Sequence, residues 1–366
     1  MNKIVYIIST LRRTGPTNVL TGIVKNLDKT QFEPIIITLS PEPDLKNSWW
    51  PELDKLGIKI QSLNLSRLQS LFIGRKKVKQ LVDKIKPDLI HCHCFRSAVI
   101  AAKALREYSK IVTIHCDYAV DFQMSYGKMQ GYLMSYFYNR ALQKFDIRVA
   151  CSKMLADLLN KKYPGMNFDF VNNGVDTEKF CPAEDKIALR KKLNLPLDKK
   201  IIIWAGVFMP RKDPLTMVKA IKKIPQDKYY FIFCGGGSLL DICKQKLNNR
   251  QDVLFTGYIA NIEEYYQVSD IYVSTSLSEG LPLAVLEAEF CGLVPLLSNI
   301  PQHTYILSKN VLPYCIYDGE KELVQKLICL LTLNAETLLS SIIENMNLFS
   351  AKNMSKKYQD LYDKYL

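Results

Sequence analysis

The chain has 366 residues, 48% of them hydrophobic and 23% charged, with a formal net charge of +13. That length exceeds one ordinary domain and predicts two, and no run of about 18 apolar residues exists to predict a membrane-spanning helix. The positive excess points to nucleic acid, an anionic membrane surface or phosphorylated small molecules; without a helix-turn-helix, zinc-finger or aromatic–basic RNA-binding pattern, no nucleic-acid partner is expected.

The N-terminus, Met1 to Ser9, holds one charge and then a β-rich run with no small-residue cleavage site. It reads as a first strand and not as a signal peptide. Further strands are predicted at Pro34–Ser40, Asp88–His93, Ile111–His115 and Ile147–Cys151, with Lys3–Ser9 the first of the set. A second series follows at Lys200–Ala205, Tyr229–Cys234, Val253–Phe255, Ile271–Ser274 and Val294–Leu297. Amphipathic stretches between them predict helices at Thr17–Leu27, Ser66–Ile85, Arg96–Tyr108, Leu133–Lys144, Pro214–Ile224, Leu239–Asn248 and Leu283–Cys291. Such alternation implies α/β architecture, with parallel sheets covered by helices on both faces. The pattern restarts near Lys200, after the polar segment Pro182–Lys199, so two Rossmann-like halves facing across a cleft are expected, 1–182 and 183–348. The segment 349–366 reads as a polar helix with aromatic points at Tyr358, Tyr362 and Tyr365, returning to pack on the first half. Ten cysteines at scattered spacings read as reduced thiols in a cytosolic protein.

Several short stretches carry candidate chemistry. Gly15-Pro16-Thr17-Asn18 opens a helix after the first strand. It lacks the full Gly-x-Gly-x-x-Gly pattern of a dinucleotide site; its simplest reading is a strand-to-helix turn with Thr17 as N-cap. In Ser66–Lys86 the stripe Leu68, Leu71, Phe72, Val78, Leu81, Val82 and Ile85 reads first as a sheet-facing helix side. Arg75, Lys76, Lys77, Lys79 and Lys84 form a basic face able to meet anionic lipid. His91-Cys92-His93-Cys94 holds four metal-capable residues, but on a strand they alternate faces and do not surround one ion. Tyr126, Tyr132, Tyr136, Phe137 and Tyr138 read as core aromatics, with contact to a membrane or a lipid-linked molecule as the second reading.

The richest stretch is Ser276 to Ala288. Glu279 precedes a Gly-x-Pro turn, and Glu287 falls two helical turns further on, roughly 12 Å away. That separation is too large for the paired carboxylates of a glycoside hydrolase. The helix start between them favours a phosphate, so a ligand with a phosphate middle and hydroxyls at both ends, such as a nucleotide-sugar, fits both acids. Arg211 and Lys212, in a loop after the strand Lys200–Ala205, are placed to neutralise a departing diphosphate.

Glu279-Gly-x-Pro, with Glu287-Ala eight positions on, resembles the Glu–seven residues–Glu signature of the family 4 retaining glycosyltransferases, also termed glycosyl transferases group 1, which have the GT-B fold. Asn172-Asn173-Gly174-Val175-Asp176 with Phe180, the loop from Gly206 to Lys212, Cys234-Gly235-Gly236-Gly237, Phe255-Thr256-Gly257-Tyr258 and Gly292 to Pro295 follow in that family's order. The resemblance implies an acceptor-binding first domain and a nucleotide-sugar-binding second domain. It places Glu279 at the transferred sugar and Glu287 on the ribose hydroxyls. The amides of Gly280, Leu281 and Leu283 meet sugar and phosphate; Gly206, Gly235 and Tyr258 line the donor side. It brings the Gly15 backbone to the donor phosphate or acceptor, sets His115 beside acceptor and sugar as an orienting group, and leaves His93 and Asn18 on the acceptor side. Many members carry Arg directly after the loop glycine, where this chain has Val207. With no Asp-x-Asp motif in a strand-end loop, no metal and no cofactor are expected.

The implied reaction is metal-independent retaining transfer from a UDP-sugar or similar donor to a glycan or lipid-linked acceptor. The setting is capsule, O-antigen or exopolysaccharide assembly, with the enzyme in the cytoplasm, peripheral on the inner face of the cell membrane. Two rivals remain: a nucleotide-sugar epimerase on the same fold, and a non-catalytic basic membrane-binding protein.

Overall fold

The computed structural model describes residues 1–42, 44–226, 228–332 and 346–366. The chain forms two compact units: Met1–Gly174 with Ser350–Leu366, and Val175–Phe349.

The first unit holds a seven-stranded parallel sheet, β1 (Asn2–Ile8), β2 (Phe32–Thr38), β3 (Lys59–Ser62), β4 (Leu89–His93), β5 (Lys110–Ile114), β6 (Ile147–Ala150) and β7 (Phe168–Phe170). Its order is β3-β2-β1-β4-β5-β6-β7, with Val5 of β1 registered against Ile35 on one side and Ile90 on the other. The central strands are buried on both faces: β1 and β5 are rich in Ile and Val, and β4 buries His91 and His93 among apolar neighbours. The second unit holds a six-stranded sheet, β8 (Lys200–Ala205), β9 (Tyr229–Cys234), β10 (Val253–Gly257), β11 (Ile271–Ser274), β12 (Val294–Ser298) and β13 (Ile316–Tyr317), in the order β10-β9-β8-β11-β12-β13. Its pairings are parallel as well. Each sheet is doubly wound, and its order reverses once: between β1 and β4 in the first, between β8 and β11 in the second.

All ten predicted strands are present, with ends moved by at most two residues. Three were not predicted: β3, β7 and β13. Each is an edge strand, short and in part half-exposed, so no continuous apolar run marks it. The predicted helix Ser66–Ile85 is two helices, Arg67–Phe72 and Gly74–Ile85, broken at Ile73. Its stripe is not one core face. Val78 and Val82 are buried, whereas Leu68, Leu71 and Phe72 are exposed. The aromatic reading also needs correction: Tyr138 is core, but Tyr126, Tyr132, Tyr136 and Phe137 are exposed.

The C-terminal helix Ala351–Asp363 lies within the first unit and buries Tyr358 and Tyr362 completely. The Tyr362 hydroxyl reaches His91 Nδ1 at 2.8 Å, His91 Nε2 meets Thr113 Oγ1 at 2.7 Å, and Thr113 Oγ1 meets the Tyr358 hydroxyl at 2.8 Å. Each member satisfies its neighbour, so this polar cluster sits in a core without a desolvation penalty left open. Gly174 permits the chain to pass: a Cβ there would come within 2.3 Å of the Ser350 carbonyl oxygen. All ten cysteines are free. Among the described residues no helix is long and apolar enough to cross a membrane.

Candidate active site

In the second unit the crevice where the strand order reverses lies beyond the carboxyl ends of β8 and β11, the usual ligand position in such sheets. The loops leaving those two strands carry the predicted residues. After β8 the chain passes Gly206 and forms one 3-10 turn, Pro210–Lys212, which presents Arg211 and Lys212. After β11 it runs through Thr275 and Ser276 to Glu279.

Backbone and side-chain bonds stitch the loops together. Leu277 N donates to Arg211 O at 2.8 Å and Arg211 Nη1 to Ser278 O at 2.7 Å. Thr275 Oγ1 accepts from Trp204 Nε1 at 3.0 Å and donates to Lys212 O at 2.9 Å. The result is an ion triad in which two half-buried cations flank a buried carboxylate. Glu279, 6% exposed, accepts from Arg211 Nη1 at 3.1 Å through Oε2 and from Lys212 Nζ through Oε1. Burial alone would raise this carboxyl; Lys212 and Arg211 outweigh it and hold it at about 2. Glu279 is therefore ionised throughout the physiological range, with one cation on each of its carboxylate oxygens.

Glu287 lies buried in the helix Leu283–Phe290, whose start, at Pro282, has no side-chain cap. Val285 N already donates to Pro282 O at 3.0 Å, but the amides of Leu283 and Ala284 at the very start of the helix have no intrahelical acceptor and can meet a phosphate or sugar oxygen. Gly235 follows β9 with φ +125°, and a Cβ on it would fall 2.0 Å from the Gly206 carbonyl oxygen, so close backbone packing demands the glycine. Tyr258, half exposed, donates its hydroxyl to Gly236 O at 3.2 Å. Val207 is exposed and supplies no charge; Arg211 and Lys212 both reach Glu279.

Sequence reasoning missed a buried chain behind Glu279. His303, fully buried, contacts Ser298 O through Nδ1 at 2.8 Å and Ser274 Oγ through Nε2 at 3.2 Å. A carbonyl only accepts, so Nδ1 carries the proton. Ser274 Oγ lies 3.3 Å from Ser276 Oγ, and the Ser276 hydroxyl bonds Glu279. Burial lowers His303 to about 4, so this link is neutral. The available signal was the hydroxyl run Ser274-Thr275-Ser276 at a strand end; His303 itself, nearly thirty residues on, had none.

Glu289, the next acid on the same helix, is different. Its Oε1 is buried without a hydrogen-bond partner, and burial pushes the carboxyl up to about 8. A raised folded value means the stability it contributes is complete below its ordinary 4.5 and is lost as pH rises through 8. Glu289→Gln removes that loss. Its melting temperature should match wild type near pH 4 and exceed it by several degrees at pH 8.5, on the order of 5 kcal/mol. Thermal melts of both proteins across that range check this.

In the first unit the predicted residues follow β1, β4 and β5. His93 Nδ1 and His115 Nε2 are 3.1 Å apart with stacked rings. Burial lowers both, His115 to about 3, so the pair is neutral. Gly15 begins the helix Gly15–Lys25 with open space where a Cβ would stand. The N-cap is Thr14, not Thr17: Thr17 is the third helical residue, and its Oγ1 accepts from Thr14 N at 2.8 Å. Asn18 Oδ1 accepts from Trp49 Nε1 at 2.9 Å, which gives it a structural task. His91 and His93 take different partners, and among the described residues no three His, Cys, Asp or Glu side chains gather as a metal-holding group.

Residues 13–179 match Glycosyltransferase Family 4, and residues 185–347 match Glycosyl transferases group 1. The Escherichia coli O-antigen biosynthesis glycosyltransferase WclY is 25% identical over 377 residues, covering 99% of this chain and 98% of its own. The Escherichia coli UDP-Gal:alpha-D-GlcNAc-diphosphoundecaprenol alpha-1,3-galactosyltransferase is 28% identical over 239 residues, and the match spans 60% of each protein. Among solved structures, Anabaena HepE in complex with UDP and glucose superposes with a TM-score of 0.82 at 14% identity, covering 100% of both chains. Sucrose-phosphate synthase from Thermosynechococcus elongatus gives 0.84 at 18% identity, covering 100% of this chain and 99% of that one. The chain belongs to the family 4, group 1 glycosyltransferases, on the GT-B fold.

Proposed function

We propose that this protein moves a sugar, with retention of anomeric configuration, from a nucleotide-diphosphate-sugar to a glycan or lipid-linked acceptor in surface polysaccharide assembly. The observation that carries this is the convergence of Lys212 and Arg211 on buried Glu279 where the strand order of the second unit reverses. The donor diphosphate lies over the two cations and the helix start at Leu283, with Glu287 on the ribose hydroxyls and Glu279 at the sugar. The sugar C1–O bond breaks, and the electron pair leaves with the diphosphate, where Lys212 and Arg211 stabilise the developing charge. The acceptor hydroxyl attacks the same face and its proton passes to the departing phosphate oxygen. Within the first unit, neutral His115, paired with His93, orients the acceptor.

Arg211 supplies the cation that Val207 does not, and two fixed cations take the role a divalent ion has elsewhere, so the reaction is metal-independent. The names of the relatives support the setting: one is an O-antigen enzyme, and another uses UDP-Gal and a diphosphoundecaprenol-linked acceptor. The net charge of +13 supports peripheral placement on the cytoplasmic face of a membrane.

The test is a panel of nucleotide-sugars incubated with lipid-linked glycan acceptors. One donor should yield nucleoside diphosphate and glycosylated acceptor in equal amounts, at an unchanged rate in EDTA. Donor conversion without an acceptor indicates an epimerase instead, and loss of the rate in EDTA removes the metal-independent step.

A further inference from the structure

A cavity of about 570 Å³ opens in the first unit where β1, β2 and β4 end, lined in part by Ser9, Ser40 and Cys94. The order of the seven-stranded sheet reverses between β1 and β4, so this is the ligand crevice of that sheet. Its volume lies in the small-molecule range. Two kinds of surface meet in its wall. Leu68, Leu71, Phe122 and Tyr126 are apolar or aromatic; Arg67 and Arg96 are cationic.

Arg96 belongs to the first turn of the helix Cys94–Ala104. Its Nη2 donates to Ser40 Oγ at 2.7 Å and Ser9 O at 3.4 Å, both neutral acceptors, and its Nε is buried with no partner. Burial lowers its pKa, and the further cause is the like charge of Arg67. A half-buried guanidinium answered by a second cation is costly unless an anion completes it. The first-turn amides of the same helix add to the positive potential. Of the wall residues, Leu68 and Leu71 are 71% and 70% exposed, and Phe72, next to Leu71 in the chain, is 83% exposed; Met129 and Tyr132, 88% and 72% exposed, lie on the helix Lys128–Leu142 that supplies Gln130 and Met134 to the wall. Exposed apolar side chains gathered beside a basic cavity mark a site for an apolar partner.

We infer that this cavity holds the phosphate-bearing head of an isoprenoid lipid, with Arg96 and Arg67 on the phosphate and the hydrocarbon leading out over Leu68, Leu71 and Phe72. This rests on the acceptor reading above and narrows it: the acceptor is recognised by its lipid phosphate and not by its glycan alone. The second unit's diphosphate site is a separate anion site, so the two are separable by mutation.

The test titrates the full chain by calorimetry with geranyl diphosphate, inorganic pyrophosphate and geraniol. Geranyl diphosphate should bind at least tenfold more tightly than either of the others. Arg96→Gln and Arg67→Glu should each weaken it tenfold or more, while Lys212→Met leaves it unchanged. Arg67 lies at an exposed helix start, so its variant folds even where Arg96→Gln does not. Unaltered binding of the donor nucleoside diphosphate certifies the fold of both variants. Pyrophosphate binding as tightly as geranyl diphosphate, wild-type affinity in both arginine variants, or loss in Lys212→Met would overturn the inference. Each of those outcomes leaves nucleotide binding and sugar transfer to be scored independently, so the inference can fail while the proposed function stands.

Discussion

Glu279→Gln should cut sugar transfer by a hundredfold or more and lower the melting temperature by several degrees, with the native fold retained. The carboxylate is buried between Lys212 and Arg211, and its folded pKa falls from the ordinary 4.5 to about 2. A depressed value means the stability it contributes is fully present above pH 4.5 and is lost as pH falls toward 2. At neutral pH that is on the order of 3 kcal/mol. The glutamine side chain keeps the shape and can still accept from Arg211, but it leaves two cations without their counter-charge. Alanine is the blunter probe, because it strands both cations in a buried place. The stability loss should vanish near pH 2, where wild-type Glu279 is itself half protonated. Initial rates and circular-dichroism melts read the two effects separately. Wild-type turnover in the variant would remove Glu279 from the reaction.

Lys212→Met should reduce turnover by about a hundred- to a thousandfold, the range for losing one charged stabiliser of a developing anion. It should also weaken nucleoside diphosphate binding tenfold or more, because in the proposed reaction the same ammonium meets the diphosphate before and after transfer. Methionine preserves most of the buried stem. Arg211 offers a contrast. Its guanidinium also bonds Ser278 O at 2.7 Å and so holds the loop bearing Glu279. Arg211→Met should therefore cost stability as well as affinity. Calorimetric titration with the donor's nucleoside diphosphate separates the two variants; unchanged rate and affinity in Lys212→Met would exclude that residue.

Much of this arrangement is legible in the chain itself. Buried parallel strands announce themselves as near-continuous apolar runs, and Glu279, Arg211 and Lys212 each fall in a loop that leaves such a strand. Once the strand order is known, those loops meet at one crevice. What periodicity cannot convey is which surface covers an apolar stripe. Leu68, Leu71 and Phe72 repeat at helical spacing as a core face does, yet Ile73 breaks the helix and leaves them exposed. Edge strands such as β3 and β13 escape for a related reason: half of each is wet, so the apolar run that marks a central strand never forms. His303 was hidden because its partners, Ser274 and Ser298, belong to different strands and meet only through sheet register.

In the proposed reaction the second unit holds the diphosphate of a nucleotide-sugar. Thermal unfolding against a panel of nucleoside diphosphates and nucleotide-sugars reads that binding without any acceptor. One base should stand out and, at about 100 times its dissociation constant, add roughly 2.7 kcal/mol, a rise of several degrees that Lys212→Met abolishes. No shift with any member of the panel, or an equal shift in Lys212→Met, would contradict the account.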